Sequence, residues 1–232
     1  MATAITIEDG ALYRLAAWLS PGYPVSAYSF SHGLEWAVEA EPIREARALG
    51  DWIEAMTAHG SGRNDAILFA AAWRAAAAMD VPALAALADL ALAFAGSRER
   101  REETRTQGRA FLATTRAVWP APALETLAEA VGETPPYPVA VALAAAAHGV
   151  PLEPALHAYL HAFAANLVSA GVRLIPLGQT DGQHLIARLA PVTAAVAAEA
   201  LAATTDDLGG CAFRADIAAM CHETQRTRLF RS

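Results

Sequence analysis

The sequence predicts an all-α protein, and three observations lead to that prediction. Apolar residues make up 55% of the 232 residues. Alanine, which has the highest helix propensity, supplies much of that fraction, whereas β-branched residues do not form the alternating runs typical of strands. Prolines and glycines divide the chain into roughly ten amphipathic segments, and no linker is long enough to separate two domains. We therefore expect a single-domain helical bundle that spans residues 1–232.

The first part of the chain divides at proline and glycine turns. Glu8 and Asp9 precede a first amphipathic helix, which ends at the two prolines of residues 20–24. Further stretches of helical spacing cover residues 28–40, 43–58 and 64–78. Asp80 fits a helix cap and Pro82 fits a first helical turn, so we expect another helix to begin there.

The middle of the chain combines one polar run with the clearest apolar stripe. The mixed-charge residues 97–106 predict the solvent-exposed first half of a long helix, since such runs are usually solvated. Prolines confine the next two helices to residues 124–131 and 139–148. An apolar stripe then predicts a central or dimer-forming helix through Leu156, Leu160, Phe163, Leu167, Ala170 and Leu174. A further helix covers residues 185–196, and we expect Pro191 to kink it.

The C-terminal segment, residues 204–232, predicts a hinged helix followed by a tail. Residues 204–210 are polar and end in two adjacent glycines, which allows the following helix to swing. Phe213, Ile217, Met220 and Cys221 recur at helical spacing. Beyond them the periodicity stops, but apolar side chains continue. A tail of this kind predicts a protein partner.

Charge excludes several classes of function. The formal net charge of −7 argues against a nucleic-acid-binding surface, which needs dense positive charge. All 17 cationic residues are arginine. The absence of lysine excludes a Walker A phosphate loop and a Schiff-base lysine. If the protein works with a nucleotide, another chain binds it.

The sequence favours a cytoplasmic protein that does not enter a membrane. Residues 154–172 carry no formal charge over a length that could just span a bilayer, but they include His157, His161 and Asn166. We interpret them as a buried helix of a soluble protein. The amino terminus lacks the basic and apolar regions of a secretory signal. Cys211 and Cys221 are too few for a disulfide framework, which fits a reducing compartment.

One group of residues invites a hydrolase interpretation. Ser29, Ser31, His32 and Glu35 lie close together and supply a nucleophile, a base and an orienting carboxylate. The sequence offers neither a glycine elbow nor a second donor for an oxyanion hole. Helix capping and surface hydrogen bonding are the simpler interpretation, and a small helical serine hydrolase stays open as an alternative.

Two sets of residues could bind a metal. His157 and His161 lie four residues apart on the strongest predicted helix, without the glutamate of the zinc-protease pattern. Cys211, Cys221 and His222 carry ligands suited to nickel or zinc, but their spacing matches no finger or ribbon. Packing side chains are the simpler interpretation of both sets. A metal-binding module built on the second set remains an alternative.

Four segments together resemble the UreF family of urease accessory proteins. They are residues 19–35, the Glu103-Thr104-Arg105 region, residues 166–182 and residues 222–230. The resemblance implies an all-α, homodimeric, non-enzymatic chaperone that supports nickel insertion into apo-urease. It also implies that the chain bridges a UreD/UreH-type accessory protein and the GTPase UreG, modulates the GTPase step, and binds no cofactor tightly while nickel transits.

The resemblance also implies which segments meet the partner. Residues 1–20 and 204–232 are expected to become ordered when the UreD/UreH-type protein binds. The partner-binding residues that it implies are Pro21, Pro24, Tyr28, Ser29, Ser31, His32, Glu35, Arg105, Gln179, Asp181, His222, Glu223, Gln225, Arg226, Arg228, Leu229 and Phe230. Two positions depart from the family pattern. Ser26 replaces a glycine, which is mild unless the position needs a positive φ, and Cys221 replaces an arginine.

Overall fold

Eleven α-helices and two short 3-10 helices form the chain between residues 9 and 232, the part that the computed structural model describes. The α-helices are α1 (Asp9–Trp18), α2 (Leu34–Ala40), α3 (Ala46–His59), α4 (Ser61–Ala77), α5 (Val81–Ala93), α6 (Arg98–Val118), α7 (Pro122–Val131), α8 (Tyr137–Ala147), α9 (Leu152–Leu174), α10 (Gln179–Ala202) and α11 (Phe213–His222). The described residues contain no strand, so the predicted all-α single-domain bundle is confirmed. Glu8, expected before the first helix, lies outside the described residues.

Helix α8 lies at the centre of the first of two buried clusters. Every residue from Val139 to Ala145 is fully buried, because α4, α6, α7 and α9 surround this helix. A helix that is apolar on all sides can be stable in water only in such a position. Helix α1 joins the cluster through Trp18, whose ring meets Phe111 of α6 edge to face at a centroid distance of 6.0 Å.

The second buried cluster joins α2, α3, α9, α10 and α11. The predicted stripe on α9 supplies both clusters, since Leu156 and Leu160 belong to the first and Leu167 and Ala170 to the second. Neighbouring helices of the same chain cover this stripe, so its predicted central position is confirmed. Phe230 of the tail also belongs to the second cluster and is 3% exposed.

Helix α10 is long and apolar enough to cross a membrane by length and composition alone. In its most apolar window, with a mean hydropathy of 1.6, 28% of the residues are buried. Its charged side chains hold it to the bundle: Arg188 pairs with Asp51 and Glu54 of α3, and Glu199 pairs with Arg63 of α4. We therefore interpret α10 as an outer helix of the bundle.

One predicted helix boundary is wrong and another is confirmed. The helix predicted for residues 28–40 is wrong at its start: a 3-10 turn occupies Ala27–Ser29, and α2 begins only at Leu34. His32 and Gly33 between them have positive φ values of 58° and 78°, which a right-handed helix cannot contain. The cap at Asp80 is confirmed, because its carboxylate accepts the Ala83 N–H at 3.0 Å.

Close contact between α6 and the start of α8 depends on Gly108. A Cβ at this position would overlap the backbone carbonyl oxygen of Pro135. We expect Gly108→Ala to lower the free energy of unfolding by about 1–3 kcal/mol, because the backbone must shift to relieve the overlap. Urea denaturation measures this change. In the control, Gly96→Ala, the nearest atom is Asp216 Oδ1 at 3.5 Å, so we expect a much smaller effect. Equal effects of the two substitutions would contradict the packing argument.

Candidate functional site

The site begins in the irregular loop between α1 and α2. Pro21 and Pro24 lie exposed at its start, and a short 3-10 turn follows. Ser26 has a φ of 58°, so it adopts the left-handed conformation that favours glycine. The departure from the family glycine therefore falls at a position that does need positive φ. Backbone hydrogen bonds between the C-terminal tail and Ser29 and Ser31 help to hold this loop in place.

The tail forms a short backbone ladder with this loop. The Arg231 N–H donates to the Ser29 carbonyl at 2.8 Å, and the Ser31 N–H donates to the backbone oxygen of Ser232 at 2.7 Å. The Ser31 hydroxyl donates to the same Ser232 oxygen. The ladder thus joins two segments that lie 201 residues apart in sequence, so it closes a loop that contains most of the chain.

Glu35, in the first turn of α2, receives the tail. Its side chain is almost fully buried, and its two oxygens accept the backbone N–H groups of Leu229 and Phe230 at 2.5 and 2.9 Å. The His222 Nε2 lies 3.1 Å from the same carboxylate. A buried carboxylate is stable only when such donors surround it. Glu35 therefore fixes both the end of α11 and the path of the tail.

The N-terminus of α6 supplies a second set of contacts to the tail. Glu99 Oε2 lies 2.6 Å from the Nδ1 of the fully buried His222, and its other oxygen accepts a hydrogen bond from Arg228. The Arg98 N–H, which a helix leaves without an internal partner, donates to the Glu223 carboxylate at 2.7 Å. Acidic groups are favourable at this end of a helix.

Glu103, one turn further along α6, is 2% exposed. Its carboxylate lies 2.9 Å from His32 Nε2, accepts the Ser232 hydroxyl at 2.7 Å and pairs with Arg100. Burial alone would raise the pKa of Glu103, but the Arg100 guanidinium, His32 and the hydrogen bonds lower it to about 2. The prediction that residues 97–106 are solvated is therefore wrong at Arg100 and Glu103, because distant parts of the chain cover them.

Two cavities of about 260 and 210 Å³ adjoin these groups. Both are lined by His32, Asp65, Arg100 and Thr104. Burial raises the pKa of Asp65 to about 6, although Arg100 and a hydrogen bond from Tyr159 oppose the shift. Burial and the Arg100 guanidinium lower the pKa of His32, whose Nδ1 has no hydrogen-bond partner within the described chain.

The structure brings most of the predicted partner-binding residues together. The loop and tail residues share one region, and five of them are buried there: Ser31, His32, Glu35, His222 and Phe230. In this conformation these five hold the two segments in place, so direct contact with a partner would require the tail to leave. Tyr28 and Leu229 are each 65% exposed in the same region.

Three predicted residues lie apart from the loop and the tail. Arg105 donates to the Thr134 hydroxyl, and Asp181, beside Gln179 in the first turn of α10, accepts the Gly178 N–H at 2.9 Å. The predicted partner-binding residues also left out Glu99, Arg100, Glu103 and Ser232, which contact the site, and Asp65, which lines the adjoining cavities. One sequence signal could have identified the carboxylates on α6: Glu99 and Glu103 are four residues apart, so both lie on the same face of the helix.

The structure does not support the geometry that the serine hydrolase or the metal-binding module would need. The Ser31 hydroxyl donates to the Ser232 backbone, and His32 Nε2 faces Glu103 instead of a serine. Across residues 9–232, no group of three or more His, Cys, Asp or Glu side chains is arranged to hold a metal ion. His222, the imidazole of the alternative metal set with Cys211 and Cys221, has both ring nitrogens beside carboxylates.

Fold and site define the class of protein: an all-α bundle whose C-terminal segment packs back onto an N-terminal loop through buried carboxylates. The UreF family model matches residues 43–190. The chain is 55% identical to the urease accessory protein UreF of Rhodopseudomonas palustris strain BisB18, over 97% of this chain and 93% of that protein. It is 52% identical to the UreF of Bradyrhizobium diazoefficiens, over 97% and 93%.

A third relative gives the same result. The urease accessory protein UreF of Xanthobacter autotrophicus is 55% identical, over 95% of this chain and 91% of that protein. The chain belongs to the UreF family, as the resemblance of its four segments indicated. It is therefore an accessory protein and not an enzyme.

Asp65 leads to a prediction about pH. Because its pKa is raised to about 6 in the folded chain, the folded state holds this proton more tightly than the unfolded state. Stability is lost as the pH rises from about 4 to about 6, and the buried charge then costs about 1–3 kcal/mol. We expect Asp65→Asn to raise the free energy of unfolding by that amount at pH 7.5.

The same gain should vanish below about pH 4, where Asp65 is already neutral. Urea denaturation at several pH values measures both limits. The exposed Asp89 on α5 provides the control, because Asp89→Asn should change stability little at any pH. A gain from Asp65→Asn that did not depend on pH would show that the carboxylate charge is not its cause.

Proposed function

We propose that this chain serves urease maturation as a scaffold, with its loop (residues 19–35) and tail (residues 222–232) forming the docking site for a UreD/UreH-type accessory protein. The observation that carries this proposal is the ladder between Ser29–Ser31 and Arg231–Ser232. It turns two distant segments, both part of the family resemblance, into one composite surface. A surface already assembled in the free chain loses less conformational entropy on binding.

Exposed apolar side chains around the ladder support a protein partner. Tyr28 and Leu229 are each 65% exposed, one on either segment of the ladder. On the adjacent helix α11, Phe213, Ile217 and Met220 form a second exposed stripe, with exposures of 66%, 54% and 51%. Aromatic residues and methionine are enriched in protein interfaces. The apolar side chains of these two elements are the proposed anchors.

The proposal keeps the tail as a segment that partner binding stabilises. Its terminal contacts are polar, and residues 224–229 are mostly exposed. Segments with few buried apolar contacts open at low free-energy cost. Binding to the docked form would shift the tail towards that form. The expected ordering of residues 204–232 on binding is then a shift from the undocked to the docked form of the tail. Of the N-terminal segment that was also expected to become ordered, residues 1–8 lie outside the described chain.

The wider proposed role is to bridge this partner and the GTPase UreG on the way to apo-urease, as a cytoplasmic homodimer. The absence of lysine supports a role in which this chain bridges its partners and the GTPase binds the nucleotide, because a chain without lysine has no Walker A phosphate loop. In this role the chain modulates the GTPase step and nickel is a cargo. The described residues offer no ligand set for tight retention of nickel.

The exposed anchors provide a direct test of docking. We expect the double variant Tyr28→Ser, Leu229→Ser to weaken binding of a co-expressed UreD/UreH-type protein at least about tenfold, because two apolar anchors lose their burial.

Removal of residues 224–232 should abolish co-purification while helical circular dichroism persists. The control, Met79→Ser with Val118→Ser, changes side chains that are also exposed, at 45% and 62%, but lie outside the loop and the tail. Unchanged co-purification after the truncation would refute the proposed docking site.

A second prediction concerns nickel. We expect calorimetric titration of the isolated chain with Ni²⁺ to show weak binding without a stoichiometric plateau, because the described chain lacks a closed ligand set. His157→Ala with His161→Ala should leave that weak signal largely unchanged, since two histidines alone make an incomplete site. Tight binding of one Ni²⁺ per chain that disappears in this double variant would contradict transit by weak contacts.

A further inference from the structure

Glu103 contacts the loop and the tail but belongs to neither. One carboxylate oxygen lies 2.9 Å from His32 Nε2 in the loop, and the other accepts the Ser232 hydroxyl at 2.7 Å in the tail. Gln107 and Arg100, on the same helix, complete its hydrogen bonds. Glu103 is thus a fixed point on α6 to which both segments attach.

Burial makes these two attachments depend on each other. The side chain is 2% exposed, so a carboxylate oxygen that loses its donor cannot recover the full hydration that it would have in water. If the tail leaves, the oxygen that faced Ser232 loses one of its two donors and keeps only Arg100. If the loop leaves, the opposite oxygen suffers the same loss. Each segment is therefore more stable when the other is in place.

The ladder adds a direct connection between the segments. Ser31 donates to Ser232 through both its N–H and its hydroxyl, and Arg231 donates to Ser29. This connection lies beside the Glu103 contacts, because His32 follows Ser31 and Ser232 is part of both sets. The ladder alone would let the two segments move together as a pair. Glu103 instead fixes that pair to the bundle.

We infer that Glu103 is a positioning residue that couples the order of the loop to the order of the tail, with the effect centred on residues 26–33 of the loop and 228–232 of the tail. A partner that grips one segment therefore stabilises the other, and the effect is reciprocal. This inference deepens the proposed function, on which it rests only for the identity of the partner. The coupling itself is a property of the isolated chain.

Hydrogen exchange of the isolated chain, followed by mass spectrometry, tests the coupling. We expect Glu103→Ala to accelerate exchange about tenfold in both the loop and the tail, within the range of typical coupling factors. Glu103→Gln should have a smaller effect, because its amide oxygen still accepts one hydrogen bond. Arg116→Gln is the control on the same helix, since Arg116 is exposed and pairs with Glu125. It should leave both segments unchanged.

A double-mutant cycle separates coupling from a merely structural role. His32→Asn removes the loop contact while keeping a residue that tolerates positive φ. We expect it to accelerate tail exchange when Glu103 is present and to add little in the Glu103→Ala background. Faster exchange in one segment only, or equal acceleration across the bundle, would overturn the inference. Failure of partner capture with the coupling intact would count against the proposed function alone.

Discussion

The need to satisfy buried carboxylates determines how the two ends of this chain meet. Glu35 and Glu103 are 5% and 2% exposed, and the tail supplies hydrogen-bond donors to both. Removing one donor from a buried acceptor costs about 1–3 kcal/mol, and Glu103 keeps Arg100 and His32 when the tail is absent. The tail is therefore part of the folded bundle's electrostatic structure, although most of its own side chains face water.

This arrangement also gives the tail a lower local stability than the helical core. Glu35 and Leu229 are 194 residues apart in sequence, so their contact carries a larger loop-closure entropy cost than a local contact. The cluster around α8 can form without the tail, because its members lie on α1 to α10. The tail is held mainly by polar contacts and by Phe230, so we expect it to open at a lower free-energy cost than the helical core. This difference in stability suits the docking role proposed for the tail.

The sequence predicted the elements governed by local rules and missed those governed by distant contacts. Helical spacing predicted the α9 stripe, and cap chemistry predicted the start at Asp80, since both depend on residues within a few turns. The break before α2 escaped notice because His32 adopts positive φ without being glycine. The burial of Glu103 escaped notice because its partners include His32 and Ser232, far away in the chain. For the site, the family resemblance supplied the segments, and the structure supplied the reason that they belong together.

The cysteine at position 221 can be judged by the charges around it. The resemblance predicts an arginine there, and two acidic groups take part in the contact between α6 and the tail: Glu99 on the helix and Glu223 in the tail. In this chain Glu99 is paired with Arg228, and Glu223 is paired with Arg98 and the Arg98 N–H. Neither carboxylate therefore depends on a cation at position 221. Cys221, which is only partly buried, can replace the arginine without leaving an acidic group unpaired at the tail.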